Sequence, residues 1–444
     1  MIDQKLWLKN IPDDWSIEKL IWHFGAEKGI EAAKYTKEYC GLNPGKYPVY
    51  SGQTSNDGVM GLIATYDYDA GSQGVLFSTT VGANAMYLRH IKGKFSLSQN
   101  CMIIKPRNNK LDIRYAHYHL IPLFRYEREL IPEHMQASFR VEDLSRYYIA
   151  IPPFHTQQEI ADFLDRETDR INQLIEKKQK LIEVLQEKQA NLINHAVRQG
   201  INPNLTMKRI HFPGIELIPE CWEVKKLRHL GSLQNGVSEG AEYFGEGYPF
   251  VGYGDVYNHF ALPTNVSGLA KSSDIDRKRY SVLAGDVFFT RTSEVAEEIG
   301  ISSACLETID NATFSGFLIR FRPNGKTLLP NFSKYYFRSD IPRIFFVKEM
   351  NLVTRVSLSQ GLLKSLPVII PPIEEQEEIS HFLDMKTAQI NVLSKNVEHS
   401  INQLKEFRIS LITEAVTGQL DIASWKKRGS TDERLDNIEE AMRA

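Results

Sequence analysis

Residues 151–199 read IPPFHTQQEIADFLDRETDRINQLIEKKQKLIEVLQEKQANLINHAVRQ, and this stretch decides the fold of the chain. No Pro or Gly lies between Phe154 and Gly200, so the pattern predicts an uninterrupted helix of about 40 residues, roughly 60 Å long. Its apolar side chains recur on a seven-residue grid, which indicates a narrow seam for another helix and not the broad face of a globular core. The predicted seam residues are Leu164, Ile171, Leu174, Leu181, Leu185 and Leu192. Lys178 takes the remaining grid position and, like Ser400 at the second seam, is interpreted as a solvated flank, with a loosened seam or contact with a partner protein as the alternative.

The same pattern returns further along the chain. Residues 370–419 read IPPIEEQEEISHFLDMKTAQINVLSKNVEHSINQLKEFRISLITEAVTGQ, and about 20 of their positions are identical to the first stretch without a gap. We expect the two helices to pair within one chain, with pairing to another chain as the alternative. The predicted seam residues of the second helix are Leu383, Ile390, Leu393, Val397, Leu404 and Leu411.

The sequences that precede the two helices also correspond. IPDDW at 11–15 matches IPECW at 218–222, and SLSQNCMIIKP at 96–106 matches TFSGFLIRFRP at 313–323. Insertions fall between the matching elements, as loop variation on a shared scaffold would produce. The chain is therefore predicted to use one unit, a globular domain followed by a long helix, twice. The predicted boundaries are 1–150 for the first domain, 151–200 for the first long helix, 201–370 for the second domain with a linker at 200–217, 371–420 for the second long helix, and 421–444 for a charged tail.

Composition places the chain among ordinary soluble proteins. Apolar residues make up 42% and charged residues 24% of the 444 residues, and the net charge is −2. Each globular block is slightly basic and the helices with the tail are slightly acidic, so a polyanion would meet the blocks through local patches. The N-terminus does not look like a signal peptide, and no apolar run is long enough for a membrane helix. The four cysteines are widely spaced, which predicts reduced thiols in a cytoplasmic protein without a zinc site.

The chain resembles the specificity subunit of type I restriction–modification enzymes. The resemblance rests on IPPFHTQQEIADFLD at 151–165 and its echo IPPIEEQEEISHFLD at 370–384, on AVRQGINPNLTMK at 196–208, on IPECWEVKKL at 218–227 and on AVTGQLDI at 415–422. It implies an α+β fold in which two target-recognition domains of mixed α/β structure are separated by two long helices. It also implies that these helices form an antiparallel coiled coil and give the chain pseudo-twofold symmetry.

The resemblance further implies a function and its partners. The chain would read a bipartite, asymmetric sequence in double-stranded DNA, with one domain for each half-site. It would direct methyltransferase subunits, two per chain, and restriction subunits to that sequence. It would bind no cofactor itself, since S-adenosylmethionine, ATP and Mg would belong to the partner subunits. Two alternatives remain open at this stage: a structural adaptor with twin protein-binding domains, and an enzyme that acts on nucleic acid alone.

Motifs for catalysis are mostly missing, which favours a non-catalytic subunit. IPPF at 151–154 lacks the polar residue with which a methyltransferase holds a target amino group. GLNPGKY at 41–47 has three residues between its glycines where a phosphate-binding loop needs four, and it lacks a Ser or Thr after Lys46. His117 and His119 lie two residues apart on a predicted helix, which is a poor arrangement for metal ligands. No catalytic or metal site is predicted.

Base readout requires polar side chains on loops at the edge of a rigid scaffold. Arg291 and Arg355 are candidates for guanine, and Gln53, Gln99 and Asn56 for adenine; ordinary solvated loops are the alternative. Lys92, Lys94, Lys105, Arg107, Lys271, Arg277, Lys278 and Arg279 are candidates for phosphate contacts, against the alternative of an ordinary charged surface. The predicted DNA-binding residues are Ser51, Gln53, Thr54, Ser55, Asn56, Thr79, Thr80, Asn84, Lys92, Lys94, Ser96, Ser98, Gln99 and Asn100 in the first domain, and Tyr253, Asp255, Lys271, Arg291, Thr292, Ser293, Asn351, Thr354, Arg355, Ser357 and Gln360 in the second.

Overall fold

The fold is described from a computed structural model. It describes residues 8, 10–53, 55–82, 84–132, 134–212, 215–293, 299–325, 327–349, 356–422, 425 and 430–443. The chain divides into two compact units. The first unit contains residues 1–180 and 396–444, and the second contains residues 181–395. Each unit therefore holds one globular domain together with one half of each long helix.

The first domain contains two four-stranded sheets. One sheet has the order β2-β9-β6-β7 with all neighbours antiparallel, and the other has the order β4-β3-β8-β5 with a parallel β3–β8 pair. Strands β1 and β10 form a separate antiparallel pair that joins the start of the domain to its end. The strands are β1 (Ser16–Lys19), β2 (Phe24–Lys28), β3 (Pro44–Tyr50), β4 (Val59–Ile63), β5 (Tyr68–Asp69), β6 (Val75–Thr79), β7 (Leu88–Ile91), β8 (Lys94–Leu97), β9 (Cys101–Pro106) and β10 (Tyr148–Ile151); the helices of residues 16–199 are α1 (Leu20–His23), α2 (Lys37–Leu42), α3 (Ile113–Glu129) and α4 (Phe154–Gln199).

The second domain repeats this plan. Its main sheet has the order β14-β21-β17-β19, and its smaller sheet contains a parallel β15–β20 pair. Strand β13 near the start of the domain pairs with β23 at its end. The strands are β11 (Met207–Phe212), β12 (Ile215–Pro219), β13 (Glu223–Lys226), β14 (Gly231–Asn235), β15 (Phe244–Val251), β16 (Leu269–Ala270), β17 (Val287–Thr290), β18 (Thr292–Ser293), β19 (Ser302–Ala304), β20 (Thr313–Phe314), β21 (Leu318–Pro323), β22 (Val356–Ser357) and β23 (Pro367–Ile370); the helices are α5 (Tyr253–Asn258), α6 (Asp274–Arg279), α7 (Pro330–Tyr336), α8 (Asp340–Glu349), α9 (Gln360–Ser365), α10 (Ile373–Val416) and α11 (Ser430–Arg443).

Buried strands at the centre of both main sheets follow from their sequences. The strand VLFST of β6 and the strand VFFT of β17 are buried at every position, because each lies between two neighbouring strands and is covered on both faces. In such strands the apolar residues form a continuous run instead of an alternating pattern. The predicted fold class, α+β domains used twice with two long helices, is confirmed.

Equivalent glutamine hydrogen bonds join each domain to the helix that follows it. The side-chain amide of Gln157 donates to Pro152 O at 2.9 Å and accepts from Asp112 N at 2.8 Å. Gln376 makes the same pair of contacts, with Pro371 O at 2.9 Å and Leu329 N at 2.9 Å. A buried amide that satisfies backbone groups on both sides fixes the direction in which the long helix leaves its domain.

A second matched contact lies about three to four turns into each long helix. The Tyr118 hydroxyl donates to Asp165 Oδ1 at 2.7 Å and lies 3.1 Å from Thr168 Oγ1. The Tyr335 hydroxyl donates to Asp384 Oδ1 at 2.6 Å and lies 3.1 Å from Thr387 Oγ1. The two contacts occupy matching positions in the two copies of the repeat, so the correspondence extends to individual side chains.

The halves of the two long helices pack antiparallel within each unit. In the first unit the Tyr115 hydroxyl lies 2.8 Å from Ala150 O, just ahead of α4, and 3.4 Å from Val416 O, at the end of α10. Further along the two helices, Arg408 donates to Asn172. The end of one helix therefore lies beside the beginning of the other.

The second unit shows the same antiparallel arrangement. A Cβ atom placed on Gly200, which follows α4, would lie 3.9 Å from Glu375 Oε2 in the first turn of α10. The Gln189 side chain donates to Asn391 Oδ1 at 3.3 Å. Between these points, Ile193 and Val197 share a buried cluster with Leu383.

Part of the predicted seam is wrong. Leu164, Ile171, Leu383, Ile390, Val397, Leu404 and Leu411 are buried and Leu174, Leu185 and Leu192 are half-buried, but Leu181 is 42% exposed and Leu393 is 51% exposed. At several grid residues the buried companion lies four positions on, as in Thr168, Ile175 and Ile401, whereas near the end of α10 Ser400 and Phe407, three positions on, are buried as well. At 3.6 residues per turn these two positions lie on opposite sides of the grid line, about 60° and 40° away, so the side from which the partner helix approaches decides how far each is buried. Lys178 and Ser400 are buried and are not solvated flanks.

The charged tail packs on the helices of the first unit. The Trp425 ring lies 6.3 Å from the Phe163 ring, and its Nε1 donates to Thr431 Oγ1 at 2.7 Å. The guanidinium of Arg434 lies over both Trp425 and Phe407, at 5.0 and 5.6 Å. None of the helices among the described residues combines the length and the apolar content that a membrane crossing needs.

Candidate nucleic-acid interface

Three loops of the first domain lie side by side at one edge. Ser98 N donates to Tyr50 O at 2.9 Å, Thr80 N donates to Asn100 O at 2.8 Å, and Asn84 Nδ2 donates to Gly52 O at 3.4 Å. The loops are the segments that follow β3, β6 and β8. Strands β3 and β8 are parallel neighbours in one sheet, and the end of β6 pairs in the other sheet with the start of β9, which directly follows the third loop. We call the described residues of 51–58, 80–87 and 98–100 the first rim.

Arg89 organises the first rim, and sequence reasoning missed it. From β7 its Nη1 donates to Asp57 O at 2.6 Å and its Nη2 to Gln53 O at 3.4 Å. Its guanidinium also lies 5.0 Å from the centre of the Tyr87 ring. Gly58 has a positive φ, and a Cβ atom there would lie 1.5 Å from Arg89 Nη1, so the turn closes around the arginine. Arg89 lies within strand β7, and nothing in its local sequence indicates a role in a loop.

The second domain has an equivalent edge with the same backbone contacts. Ser315 N donates to Val251 O at 3.0 Å and Arg291 N donates to Phe317 O at 2.9 Å, which matches Ser98–Tyr50 and Thr80–Asn100. We call the described residues of 291–293, 315–317 and 356–360 the second rim. One further bond closes each rim in the same way: Phe139 N donates to Thr80 O at 2.7 Å, and Leu358 N donates to Arg291 O at 2.7 Å.

Many predicted readers lie on these rims and expose their side chains to different degrees. Ser55, Asn56, Gln99, Asn100, Thr292 and Ser357 are exposed, and Gln53, Asn84, Arg291 and Gln360 are half-buried. Some of the side-chain amides already make hydrogen bonds within their own domain: Gln53 Nε2 donates to Val59 O at 2.7 Å and Gln360 Nε2 to Asn235 Oδ1 at 2.9 Å. Asp255 and Tyr253 belong to α5, where the Asp255 carboxylate accepts from Gly252 N at 2.8 Å and so caps the helix. Whether the exposed side chains contact DNA stays a prediction.

Five predicted readers are placed inside the scaffold. Ser51, Thr79, Thr80, Ser96 and Ser98 are buried. The Thr79 hydroxyl donates to Asn84 O, and Ser96 Oγ accepts from Asp67 N at 3.1 Å. Small hydroxyl residues at strand ends often satisfy backbone groups in this way, and a buried hydroxyl cannot reach a base edge in this conformation. For these residues the structure supports a framework role instead of direct readout.

The lysines proposed for phosphate contact lie away from the rims. Lys92 and Lys94 flank the β7–β8 turn, and Ile91 pairs with Val75 at the start of β6, whereas the first rim lies at the end of β6. Lys271 N donates to Tyr243 O beside the first residue of β15, whereas the second rim adjoins its last residue. Antiparallel pairing therefore separates these cations from the loops by the length of a strand.

Several cations of this set belong to ion pairs and ring contacts. Lys105 pairs with Glu27, Lys271 pairs with Glu246 at 2.7 Å, and Arg277 pairs with Asp274 while its guanidinium lies 3.7 Å from the centre of the Tyr248 ring. Lys278 and Arg279 are exposed. Thr54, Asn351, Thr354 and Arg355 lie outside the described residues, and of Ser293 only the backbone, which pairs with Val356, is described.

Two other lysines lie closer to the first rim. A concave surface of about 540 Å³ is lined by Lys28 and Lys34 together with Gln99 and Asn100. Lys34 is exposed and pairs with Glu31 at 2.6 Å. Cys101 lines the same surface, but burial raises the pKa of its thiol to about 11, so it is neutral there. The cations beside the first rim are therefore Lys28, Arg89 and Lys34, of which Lys34 is paired with Glu31.

The family model described as the type I restriction modification DNA specificity domain matches residues 26–184 and 219–405. The EcoKI type I restriction enzyme specificity subunit of Escherichia coli K12 is 24% identical over 347 residues, which are 76% of this chain and 72% of that protein. The MpnII specificity subunit of Mycoplasma pneumoniae is 33% identical over 144 residues, 32% of this chain. The alignments with two Mycoplasma pneumoniae relatives span only 37% and 41% of their lengths.

A solved structure shares the fold. A chain from a study titled as the structural basis of complex assembly and conformational transition of the type I R-M system aligns with a TM-score of 0.65. The alignment covers 93% of this chain and 100% of that chain at 13% identity. At that identity the likeness concerns the fold alone.

Proposed function

The chain belongs to the family of type I restriction–modification DNA specificity subunits, and on that premise we propose that it reads a bipartite, asymmetric DNA sequence. Each domain reads one half-site through its rim. One observation carries this proposal: the two rims share their backbone contacts but differ in the residues held there. Thr80 and Asn100 of the first rim correspond to Arg291 and Phe317 of the second. A common framework that presents unlike side chains suits the recognition of two unlike half-sites.

We propose that methyltransferase subunits bind the long helices, with two of them per chain. Several apolar side chains of α4 and α10 face solvent in the second unit: Leu181 is 42% exposed, Val184 56%, Val392 58% and Leu393 51%. Leu181 and Val184 lie one turn apart on α4, and Val392 and Leu393 are consecutive on α10; neighbouring exposed apolar residues are typical of a surface that a partner protein covers. Restriction subunits would join through this complex.

The chain itself would be non-catalytic and act in the cytoplasm. S-adenosylmethionine, ATP and Mg would bind to the partner subunits, which would supply the chemistry of methyl transfer and cleavage. The residues of this chain would bind and orient the DNA, and their contacts would decide where the chemistry occurs.

The proposal is tested by mapping methylated adenines across a genome, with and without this chain, in cells that contain the methyltransferase subunit. We expect methylation at one bipartite sequence that disappears without the chain. Methylation that is unchanged, or that shows no sequence preference, would favour a structural adaptor with twin protein-binding domains. Methyl transfer or cleavage by the purified chain alone would favour an enzyme.

A further inference from the structure

The turn between β20 and β21 exposes an aromatic ring at the second rim. Phe317 is 63% exposed although it is surrounded in sequence by the buried residues Ser315 and Leu318. Leaving an aromatic ring in water forgoes the stabilisation that its burial would bring. The exposure of the Phe317 ring therefore calls for a functional explanation.

The backbone that carries this ring is held firmly. Phe317 N donates to Ser315 Oγ at 3.2 Å, and Phe317 O accepts from Arg291 N at 2.9 Å. Before it, Gly316 N donates to Val237 O at 2.6 Å, and a Cβ atom on Gly316 would lie 2.1 Å from Ser238 Oγ. After it, Leu318 N donates to Ser315 O at 2.9 Å. A rigid turn that presents an exposed ring is preorganised for contact with a ligand.

The first domain has a polar residue at the same place. Asn100 occupies the matching turn between β8 and β9, its φ is 62°, and its carbonyl accepts from Thr80 N at 2.8 Å. Asn100 is exposed. The two domains thus present an amide and an aromatic ring from the same structural position.

We propose that Phe317 is a specificity-determining residue of the second domain, and that its ring packs against the 5-methyl group of a thymine in the second half-site. This inference rests on the proposed function. The thymine methyl is the apolar group that base edges present in the major groove, and aromatic or small apolar side chains recognise it. Arg291, whose backbone bonds to Phe317, carries a cation suited to guanine in the same groove. Asn100 reads a base edge of the first half-site through hydrogen bonds.

The test uses the complex of the full chain with its methyltransferase subunits. The target sequence is first established by mapping, and duplexes are then made in which each thymine of the second half-site is replaced singly by deoxyuridine, which lacks the 5-methyl group. For the wild-type complex we expect binding about fourfold weaker at one position, equivalent to ~0.8 kcal/mol for one methyl group. In Phe317→Ala the same replacement should have no effect, because the partner of the methyl group is gone.

Two further variants make the result specific. Phe317→Leu keeps an apolar side chain and should retain part of the sensitivity to deoxyuridine. Asn100→Ala, the matched control, should weaken discrimination in the first half-site and leave the deoxyuridine effect unchanged. A second half-site without thymine, a wild-type complex insensitive to every replacement, or a Phe317→Ala complex that keeps the full sensitivity would overturn the inference. Phe317→Ala binding that is weaker regardless of the methyl group would indicate a wedge between base pairs or a protein contact, and would also overturn it.

Failure of the proposed function gives a different result. In that case the wild-type complex shows no sequence-selective methylation, and no half-site is available for replacement. Selective methylation without a deoxyuridine effect contradicts the role of Phe317 alone.

Discussion

Replacement of Arg89 by alanine should loosen the first rim while the domain remains folded. The change removes the bonds from the guanidinium to Asp57 O at 2.6 Å and Gln53 O at 3.4 Å. A hydrogen bond to a charged group contributes about 1.5–3 kcal/mol. Because Arg89 is only half-buried, we expect the free energy that holds the loop in its ordered conformation to fall by about 1–2 kcal/mol. If binding to the first half-site requires that order, the affinity of the complex for its target should fall by roughly 5- to 30-fold.

The assay measures binding of the assembled complex to three duplexes: the full target, a duplex with a changed first half-site and a duplex with a changed second half-site. Arg89→Ala should lose affinity for the full target and discriminate poorly at the first half-site, yet discriminate normally at the second. Gly58→Ala should give the same pattern, because its Cβ atom would displace the same guanidinium. Lys92→Ala, which removes a cation from the opposite end of β7, is the matched control. Equal loss of discrimination at both half-sites, or none at the first, would refute the reasoning.

Three other predictions concern the helices and the cores. Insertion of seven residues into both long helices keeps the seam in register and adds about 10 Å, so mapped methylation should show a spacer about three base pairs longer with both half-sites unchanged; altered half-site bases would contradict this. Burial lowers the pKa of His119 to about 3, so the unfolded state binds more protons below pH 6.5 and the free energy of unfolding of the first unit should fall as the pH drops, by roughly 3 kcal/mol at pH 4. Hydrogen exchange should show that His119→Gln reduces this pH dependence. In the first unit His119 Nε2 accepts from Ala150 N at 3.0 Å, whereas in the second unit the Tyr336 hydroxyl accepts from Ile369 N at 2.8 Å, so the second unit should lack this contribution; equal pH dependence in the wild type and the variant would count against it. Trp222 is fully buried and donates to Glu375 at 2.6 Å, so Trp222→Ala should cost the second unit about 3–5 kcal/mol in urea unfolding; a loss below 1 kcal/mol would show that the site has collapsed around the smaller side chain.

The candidate site shows which features of the protein cannot be predicted from local sequence. Polar loop residues are easily found, and the loops that contain Asn56, Asn84 and Gln99 do meet at one edge of the first domain. The sequence does not reveal which hydroxyls point inward, so it predicts Thr79 and Ser96 as readers although the structure buries both. It also gives no reason to select Arg89, because a residue in a strand acts on a loop only once the sheet has brought them together. Strand pairing is a contact between distant segments, and it decides both outcomes.

The sequence by itself determined the repeated plan of domain and long helix, because seven-residue periodicity and the absence of helix breakers are local properties of the chain. It also determined the seam line along each helix, since residues such as Leu164 and Leu383 recur with a period that a helix converts directly into a stripe. Only the tertiary structure decided which neighbours of that line are buried, leaving Leu181 and Leu393 exposed, because this depends on the side from which the partner helix approaches. In the rims, the sequence specifies which side chains are present, but strand order and turn geometry decide that Phe317 faces solvent and Thr80 does not.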